Sequence, residues 1–452
     1  MTSGPAKPIA AIILAAGKGM RMRSAMHKVL HPVGGRPMLL HLLHSLESLA
    51  PQRIVVVAGD RAEQVESALA GTGAGIALQA EQLGTGHAVL MARPALAGFD
   101  GIALILFGDV PLVTPETLRH LVQALDGDRR IAVLGFRPPA PGAYGRIIAT
   151  PDNRIIRMVE ARDATPAELE VPLCNAGLMA ADADLLFRLL ARVGNNNRAG
   201  EYYLPDVVML AAAEGIAATV VEAAAHEVVG VNDRAELAAA EALFQSRRRA
   251  ELMAAGVTLV APDTIFVSAD TLLGEDTLVE PHVVIGPGVQ AGRRVTIRAH
   301  SHIEGATIAS DCEIGPFARL RPGTVLGEGA KIGNFVETKK AHFEAGAKAN
   351  HLSYIGDAFV GAKANIGAGT ITCNYDGFGK YDTHIGAGAF IGSNSALVAP
   401  VIIGDGAIVG AGSTITADVA ADALVLNRAP QQERPGWAAR FRQAMTARKG
   451  RN

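Results

Sequence analysis

Ile385-Gly386-Ala387-Gly388-Ala389-Phe390-Ile391-Gly392-Ser393-Asn394-Ser395-Ala396-Leu397 opens a run in which an aliphatic residue returns at every sixth position: Ile385, Ile391, Leu397, Ile403, Val409 and Ile415. Upstream the same period appears in two other registers. One holds Ile308, Ile314, Leu320, Leu326 and Ile332; the other holds Leu273, Val279, Ile285, Ile297 and Ile303, with Ala291 in the remaining slot. Glycine commonly follows the aliphatic residue, as at Gly274, Gly286, Gly327, Gly392 and Gly404. A fixed period of six is the mark of a parallel β-helix, in which each hexad makes one flat face and the aliphatic residues stack inside. A β-sandwich would instead alternate with period two, with turn clusters roughly every 8–12 residues. The register breaks between Glu337 and Ile355 and again between Thr370 and Ile385. Both breaks are polar, and the reading predicts insertions that loop out on a binding face.

Upstream of the hexads, positions 233–255 (DRAELAAAEALFQSRRRAELMAA) hold no Gly or Pro and end at Gly256, which predicts one helix and an interdomain boundary. The expected organisation is a first domain at 1–232, a linker helix at 233–256 and the hexad domain at 257–452. Within the first domain, apolar strands are predicted at 9–16, 53–58, 75–79, 102–107, 131–136 and 217–221. Helix-length segments such as 38–49, 62–69 and 115–125 separate them. Strands alternating with helices predict a mainly parallel, doubly wound α/β sheet, whose ligands bind at the carboxyl ends of the strands.

Composition narrows the partners. Among 452 residues, 42 Lys and Arg face 44 Asp and Glu, for a net charge of −2, so there is no global basic field for nucleic acid or anionic lipid. Cys174, Cys312 and Cys373 lack C-x-x-C spacing, which argues against a disulfide framework or structural zinc and suits a reducing compartment. The longest apolar runs are of strand length, well short of the roughly 20 residues that span a bilayer. A soluble, cytoplasmic protein is expected, with no membrane or nucleic-acid partner.

Three loops at predicted strand ends carry candidate chemistry. Leu14-Ala15-Ala16-Gly17-Lys18-Gly19-Met20-Arg21-Met22 lacks the Lys-Ser/Thr of a P-loop and the third glycine of a dinucleotide fingerprint. It remains a small-residue turn whose backbone N–H groups can approach phosphate, with Lys18, Arg21, Arg23 and Lys28 as countercharge; a plain strand-to-helix turn with solvated charges has the same composition. Gln79-Ala80-Glu81-Gln82-Leu83-Gly84-Thr85-Gly86-His87-Ala88 offers amides and glycine backbone for a base edge and ribose, or simply closes on a helix. Phe107-Gly108-Asp109-Val110-Pro111 ends another strand with a carboxylate suited to Mg²⁺, or to a turn or helix cap.

In the hexad domain, the first break carries Asn350-His351-Leu352-Ser353-Tyr354-Ile355-Gly356-Asp357. A solitary His serves structure as readily as catalysis, but imidazole at a solenoid insertion is a natural base for an amine attacking a thioester. The second break carries Asn365-Ile366-Gly367-Ala368-Gly369-Thr370-Ile371-Thr372-Cys373-Asn374-Tyr375-Asp376-Gly377. Cys373 could carry an acyl group, although direct transfer is the preferred reading. Arg321 and Lys339 suit a phosphate clamp or a solvated prism face.

With K-V-L-H at 28–31, Y-G-R-I at 144–147, G-E-Y-Y-L-P-D at 200–206 and G-V-N-D-R at 230–234, the first half resembles the sugar-1-phosphate nucleotidyltransferases. From about residue 9 to Trp437 the whole chain resembles the bifunctional family of N-acetylglucosamine-1-phosphate uridylyltransferases and glucosamine-1-phosphate N-acetyltransferases. That resemblance implies a Rossmann-like nucleotidyltransferase domain and a left-handed parallel β-helix. It implies that Leu14, Ala15, Ala16, Gly17, Gln79, Gly84 and Thr85 hold the uridine nucleotide. Lys28 and Arg21 would meet its phosphates beside Phe107 and Gly108, and Gly145, Glu160 and Asn175 would hold the N-acetylglucosamine. Asp109 and Asn232 would bind Mg²⁺. In the second half it implies His351 as proton acceptor and Arg321, Lys339, Tyr354 and Asn365 on the amino-sugar phosphate. Ala368, Asn374, Tyr375, Ser393, Ala411 and Arg428 would contact acetyl-CoA. UTP and acetyl-CoA are the implied co-substrates, a homotrimer the implied assembly, and supply of cell-wall and lipopolysaccharide precursors the implied role. Met20, His27 and Phe107 depart from that family's usual residues.

The tail from Gln431 onward is basic and reads as a solvated end. In the family it helps complete a neighbouring subunit's acetyltransferase site, with Trp437 as anchor. Two rival readings remain at this level: a nucleotidyltransferase whose hexads only oligomerise it, and a non-catalytic sugar-nucleotide-binding scaffold.

Overall fold

The structure is a computed structural model that describes residues 7–449. The chain divides into two compact units, Met1–Arg248 and Arg249–Asn452.

The first unit is built on a sheet. Its strands are β1 (Ile9–Ala15), β2 (Arg53–Ala58), β3 (Gly75–Leu78), β4 (Ile102–Phe107), β5 (Arg129–Phe136), β6 (Arg146–Ala149), β7 (Ile155–Val159), β8 (Cys174–Asp182) and β9 (Ala217–Glu222). The main order is β9-β5-β8-β4-β1-β2-β3, with β6 and β7 paired off β8. Neighbours in the main path run parallel except β8, which is antiparallel to both β4 and β5. β1 and β4 are almost continuously apolar because both faces are covered. One face packs Ile13, Val56 and Leu104 against α1 (Met38–Leu46) and α4 (Pro115–Gln123). The other packs Ile12, Val57 and Ile105 against α3 (Thr85–Met91), α5 (Ala183–Leu190) and α6 (Asp206–Ala213); α2 (Ala62–Ala68) lies between β2 and β3 in the chain.

All six predicted strands form, and β6, β7 and β8 are additional. β8 reads CNAGLMAAD, poor in β-branched residues, and a bulge interrupts its register between Asn175 and Met179. Tertiary burial, not local preference, makes it a strand. α7 (Arg234–Ala254) forms where one helix was predicted. Asp233 Oδ1 accepts the Ala235 and Glu236 N–H groups at its start.

The second unit is a parallel β-helix. Val279, Ile297, Ile314, Ile332, Ala349, Ile366, Ile391 and Val409 follow one another in register up one sheet, and all are buried. The break expected as a loop at 337–355 is not an insertion. There Glu337 pairs with Tyr354 and Phe343 with Val360, so each coil advances 17 residues instead of 18, and Thr338, Phe343 and Ala349 occupy the inner slots. The pattern was obscured by a shortened coil and by Thr and Ala replacing aliphatics. His351 therefore sits on a regular coil. The second break is a true insertion: Ala358 pairs with Thr383, 25 positions on, and the excess loops out around 374–381.

Phe343 is fully buried, so Phe343→Ala is expected to cost about 3–5 kcal/mol and lower the thermal unfolding midpoint of this unit, read by calorimetry. The three cysteines are free, and burial pushes Cys312 up to about 11. Residues Trp437–Lys449 of the tail form an exposed helix, α8, in which Trp437 stacks on Phe441 at 5.1 Å; Arg451 and Asn452 lie outside the described residues. No helix among the described residues is long and apolar enough to cross a membrane.

Candidate active sites

In the first unit, the loops after β1 and β4 meet at the carboxyl edge of the sheet, where the Gly108 N–H donates to Leu14 O at 2.9 Å. Two adjoining cavities open there. One, of about 260 Å³, is lined by Leu14, Ala15, Ala16, Gly17, Lys28, Gln79, Gly84, Thr85, Phe107 and Asp109. The other, of about 480 Å³, shares Thr85, Phe107 and Asp109 and adds Arg21, Gly145, Glu160, Asn175 and Asn232. Every residue that the resemblance assigned to nucleotide, sugar or metal in this half lines one cavity or the other except Gly108, which braces the wall; Lys18 and Arg23, read as further countercharge, instead line a separate cavity with Met20, Asp60 and Arg61.

Lys28 stands where the cavities join. Its Nζ donates to Asp109 Oδ2 at 2.5 Å and to Asn232 Oδ1 at 3.4 Å. The loop carrying Asn232 is held in place by the Val231 N–H donating to Asp109 O at 2.9 Å, and by the Asn232 N–H donating to Glu236 at 2.6 Å. Arg234 fastens the facing segment, with Nε on Met22 O and Nη1 on His31 Nδ1, both at 3.2 Å. A carboxylate and an amide oxygen thus converge on one cation. Two hard oxygens open to phosphate and water form the donor set Mg²⁺ prefers, so the residues fit that ion.

One wall of the smaller cavity depends on Gly84. Its φ is +113°, and a Cβ there would lie 2.6 Å from the Tyr202 carbonyl oxygen, whose residue also accepts the Gly86 N–H at 2.8 Å. Buried Gln79 holds the same loop through Nε2 to Gly84 O at 3.1 Å and to His87 Nδ1 at 3.0 Å. Gly84→Ala is expected to add about 1–3 kcal/mol of strain and to lower the thermal unfolding midpoint of the first unit, read by calorimetry. Across the other cavity, Gly177 has φ +87° and a Cβ there would come within 2.9 Å of the Phe107 ring. Burial, followed by Asp206 and Asp163, pushes the Glu160 carboxyl up.

Gln82, Glu201, Tyr144 and Glu236 also line these cavities without having been given a role in the sequence reading. All but Glu236 lie inside the quoted motifs. Gly177 had no sequence signal, because β8 itself had none.

In the second unit, Asn334 and His351 are register partners, and the coils above continue the file. The Gly369 N–H donates to His351 O, Asn394 N–H to Ala368 O, and Gly412 N–H to Ser393 O, at 3.2, 2.7 and 2.8 Å. Arg428 Nη1 reaches Ala411 O at 2.6 Å. His351, Ala368, Ser393, Ala411 and Arg428 therefore line one edge of the prism, coil above coil. His351 Nδ1 lies 2.6 Å from Asn334 Oδ1.

On the adjoining face, Lys339 pairs with Gly356, and the Arg321 N–H donates to Thr338 O at 2.9 Å, stacking the two cationic side chains on successive coils. Arg321 also reaches Glu337 at 2.9 Å. Lys380, on the insertion loop, was missed by the sequence reading. It and Arg321 push the Lys339 ammonium below its usual value, against Asp357. Crowded cations of this kind favour an anion. Asn374 bonds buried Asp357, and Lys380 Nζ sits 5.6 Å over the Tyr375 ring. Tyr354 and Asn365 are half-buried on strands of two different sheets of the prism.

Fold and site together define a nucleotidyltransferase unit joined to a hexapeptide-repeat transferase unit. Residues 11–162 match the MobA-like NTP transferase domain, and 305–340 and 382–417 match the bacterial transferase hexapeptide (six repeats). The Bifunctional protein GlmU of Rhizorhabdus wittichii is 62% identical over 445 residues, covering 98% of this chain and 98% of that protein. That of Sphingopyxis alaskensis is 60% identical over 444 residues with the same coverage, and that of Zymomonas mobilis 54% over 441. The chain belongs to the GlmU family of bifunctional proteins, and is an enzyme with uridylyltransferase and acetyltransferase activities.

Proposed function

We propose that acetyl transfer runs on the His351 edge of the second unit and uridylyl transfer in the joined cavities of the first, in that order. The single observation that carries this reading is the convergence of Asp109, Asn232 and Lys28 where the two cavities meet.

At the second-unit site, Arg321 and Lys339, with Lys380, hold the phosphate of glucosamine-1-phosphate, with Tyr354 and Asn365 beside the sugar. Acetyl-CoA lies along Ala368, Ser393, Ala411 and Arg428, with Asn374 and Tyr375 from the insertion. The amine nitrogen attacks the thioester carbonyl. His351 Nε2 takes its proton as the C–N bond forms, the C–S bond breaks, and the thiolate receives that proton. The order of residues up the prism edge supports this arrangement, and direct transfer leaves Cys373 as a bystander.

At the first-unit site, Leu14 to Gly17, Gln79 and Gly84 seat the uridine, while Gly145, Glu160 and Asn175 seat the N-acetylglucosamine. The sugar phosphate is already an oxyanion, so no general base is needed. Lys28 and Arg21 balance charge on the α-phosphate and departing pyrophosphate. Asp109 and Asn232 would hold Mg²⁺, which when bound neutralises and orients phosphate oxygens. The reactions are assigned to the cytoplasm, a reading that the three free thiols support, and the hexad prism is taken to assemble as a homotrimer.

Free thiol should be released from acetyl-CoA when glucosamine-1-phosphate is supplied without UTP. Pyrophosphate should then form from UTP with N-acetylglucosamine-1-phosphate, and far more slowly with the unacetylated sugar. Equal pyrophosphate release from both sugars would overturn the order, and absence of thiol release from folded protein would leave the first activity alone.

A further inference from the structure

His351 has two ring nitrogens, and only one can carry the proton when the ring is to act as a base. Nδ1 lies 2.6 Å from Asn334 Oδ1, a hydrogen bond between side chains one coil apart. An amide oxygen accepts and cannot donate, so Nδ1 must bear the hydrogen. Nε2 is then left with its lone pair, and among the described residues it makes no hydrogen bond. The backbone fixes this geometry. The Leu352 N–H donates to Asn334 O at 3.0 Å, and a Cβ on Gly333 would lie 2.0 Å from Asn350 O, so the two coils cannot separate or slip without losing the pairing. The residues stacked along the same file, Asn334 below His351 and Ala368, Ser393 and Ala411 above it, are all uncharged.

We infer that Asn334 is a positioning residue for acetyl transfer: it selects the Nδ1–H tautomer of His351 and aims Nε2 at the attacking amine. The inference rests on the reading of His351 as the base. An unheld imidazole samples both tautomers and several ring orientations, so the loss falls on the chemical step, not on substrate binding. A hydrogen-bonded orienter behind a catalytic imidazole is a common arrangement, usually a carboxylate, and the neutral amide here orients the ring without adding charge beneath it. Nothing in the spacing of the sequence exposes this pair, because Asn334 and His351 are neighbours only through the 17-residue coil.

The test is thiol release from acetyl-CoA by full-length protein carrying Asn334→Ala, Asn334→Asp, His351→Ala or Asn334→Ala with His351→Ala. Asn334→Ala should lower kcat at least about tenfold, with KM for acetyl-CoA and glucosamine-1-phosphate within about twofold of wild type. Asn334→Asp keeps an accepting oxygen in place and should restore kcat to within about threefold. In the His351→Ala background, Asn334→Ala should cause no further loss, since the residue acts only through the ring. A wild-type kcat in Asn334→Ala overturns the inference, as does equal impairment of the Ala and Asp variants, or an additive loss in the double variant. Wild-type transfer by His351→Ala would instead overturn the base assignment, whatever Asn334 does.

Discussion

Asp109→Ala is expected to abolish pyrophosphate formation, with a fall in kcat of about 10³-fold or more, while thiol release from acetyl-CoA stays within about twofold of wild type. Among the described residues the carboxylate is the one acidic group paired with Lys28, and Asn232 supplies only an amide oxygen. On the proposed assignment a bound metal would then lose its charged ligand. Lys28 loses the partner that holds it where the cavities meet, although the Gly108 and Val231 backbone bonds that shape the loop persist. Asp109→Asn separates the two contributions: volume and one oxygen remain and the charge goes, so a comparable loss means that charge is what the site needs. Full uridylyl transfer by Asp109→Asn would remove the metal assignment. Because the acetyl site lies in a separate compact unit, the same preparation supplies its own control for folding.

His351→Ala produces the mirror result. Thiol release dependent on glucosamine-1-phosphate should fall about 10²–10⁴-fold, the usual range for a positioned proton acceptor, while pyrophosphate release from UTP and N-acetylglucosamine-1-phosphate is unchanged. The residue is exposed on a regular coil and contributes nothing to the buried column, so its truncation should leave the thermal midpoint in place. Retention of normal acetyl transfer would mean that the amine is deprotonated elsewhere, and attention would move to Tyr354 and Lys339.

Much of this architecture was legible from spacing alone. The six-residue period of Ile385, Ile391, Leu397 and Ile403 places each of them in the buried column, because only a repeating coil brings every sixth residue inward. The short apolar runs of the first unit became β1 to β5 and β9, and the loops after β1, β3, β4, β5 and β9 line the cavities. Four features were hidden. β8 is Ala-rich with a bulge around Gly177, and its place in the sheet follows from burial between β4 and β5. The shortened coil at 337–355 looked like an insertion, since Thr338 and Ala349 fill core slots where an aliphatic residue was sought. Lys380 could not be joined to Arg321 and Lys339, because an insertion of unknown path separates them in sequence. The pairing of Lys28 with Asp109 and Asn232 likewise crosses 81 and 204 positions, and only the folded loops reveal it.

The central claim is that one chain carries two separable sites working in series. The most direct measurement is to assay Asp109→Ala and His351→Ala proteins, each alone and then mixed, for UDP-N-acetylglucosamine made from glucosamine-1-phosphate, acetyl-CoA, UTP and Mg²⁺. Neither variant alone should make the nucleotide sugar, Asp109→Ala should accumulate N-acetylglucosamine-1-phosphate, and the mixture should restore product through that released intermediate. Product from either variant alone, or a mixture that stays inactive while each retains its own half-reaction, would contradict the account.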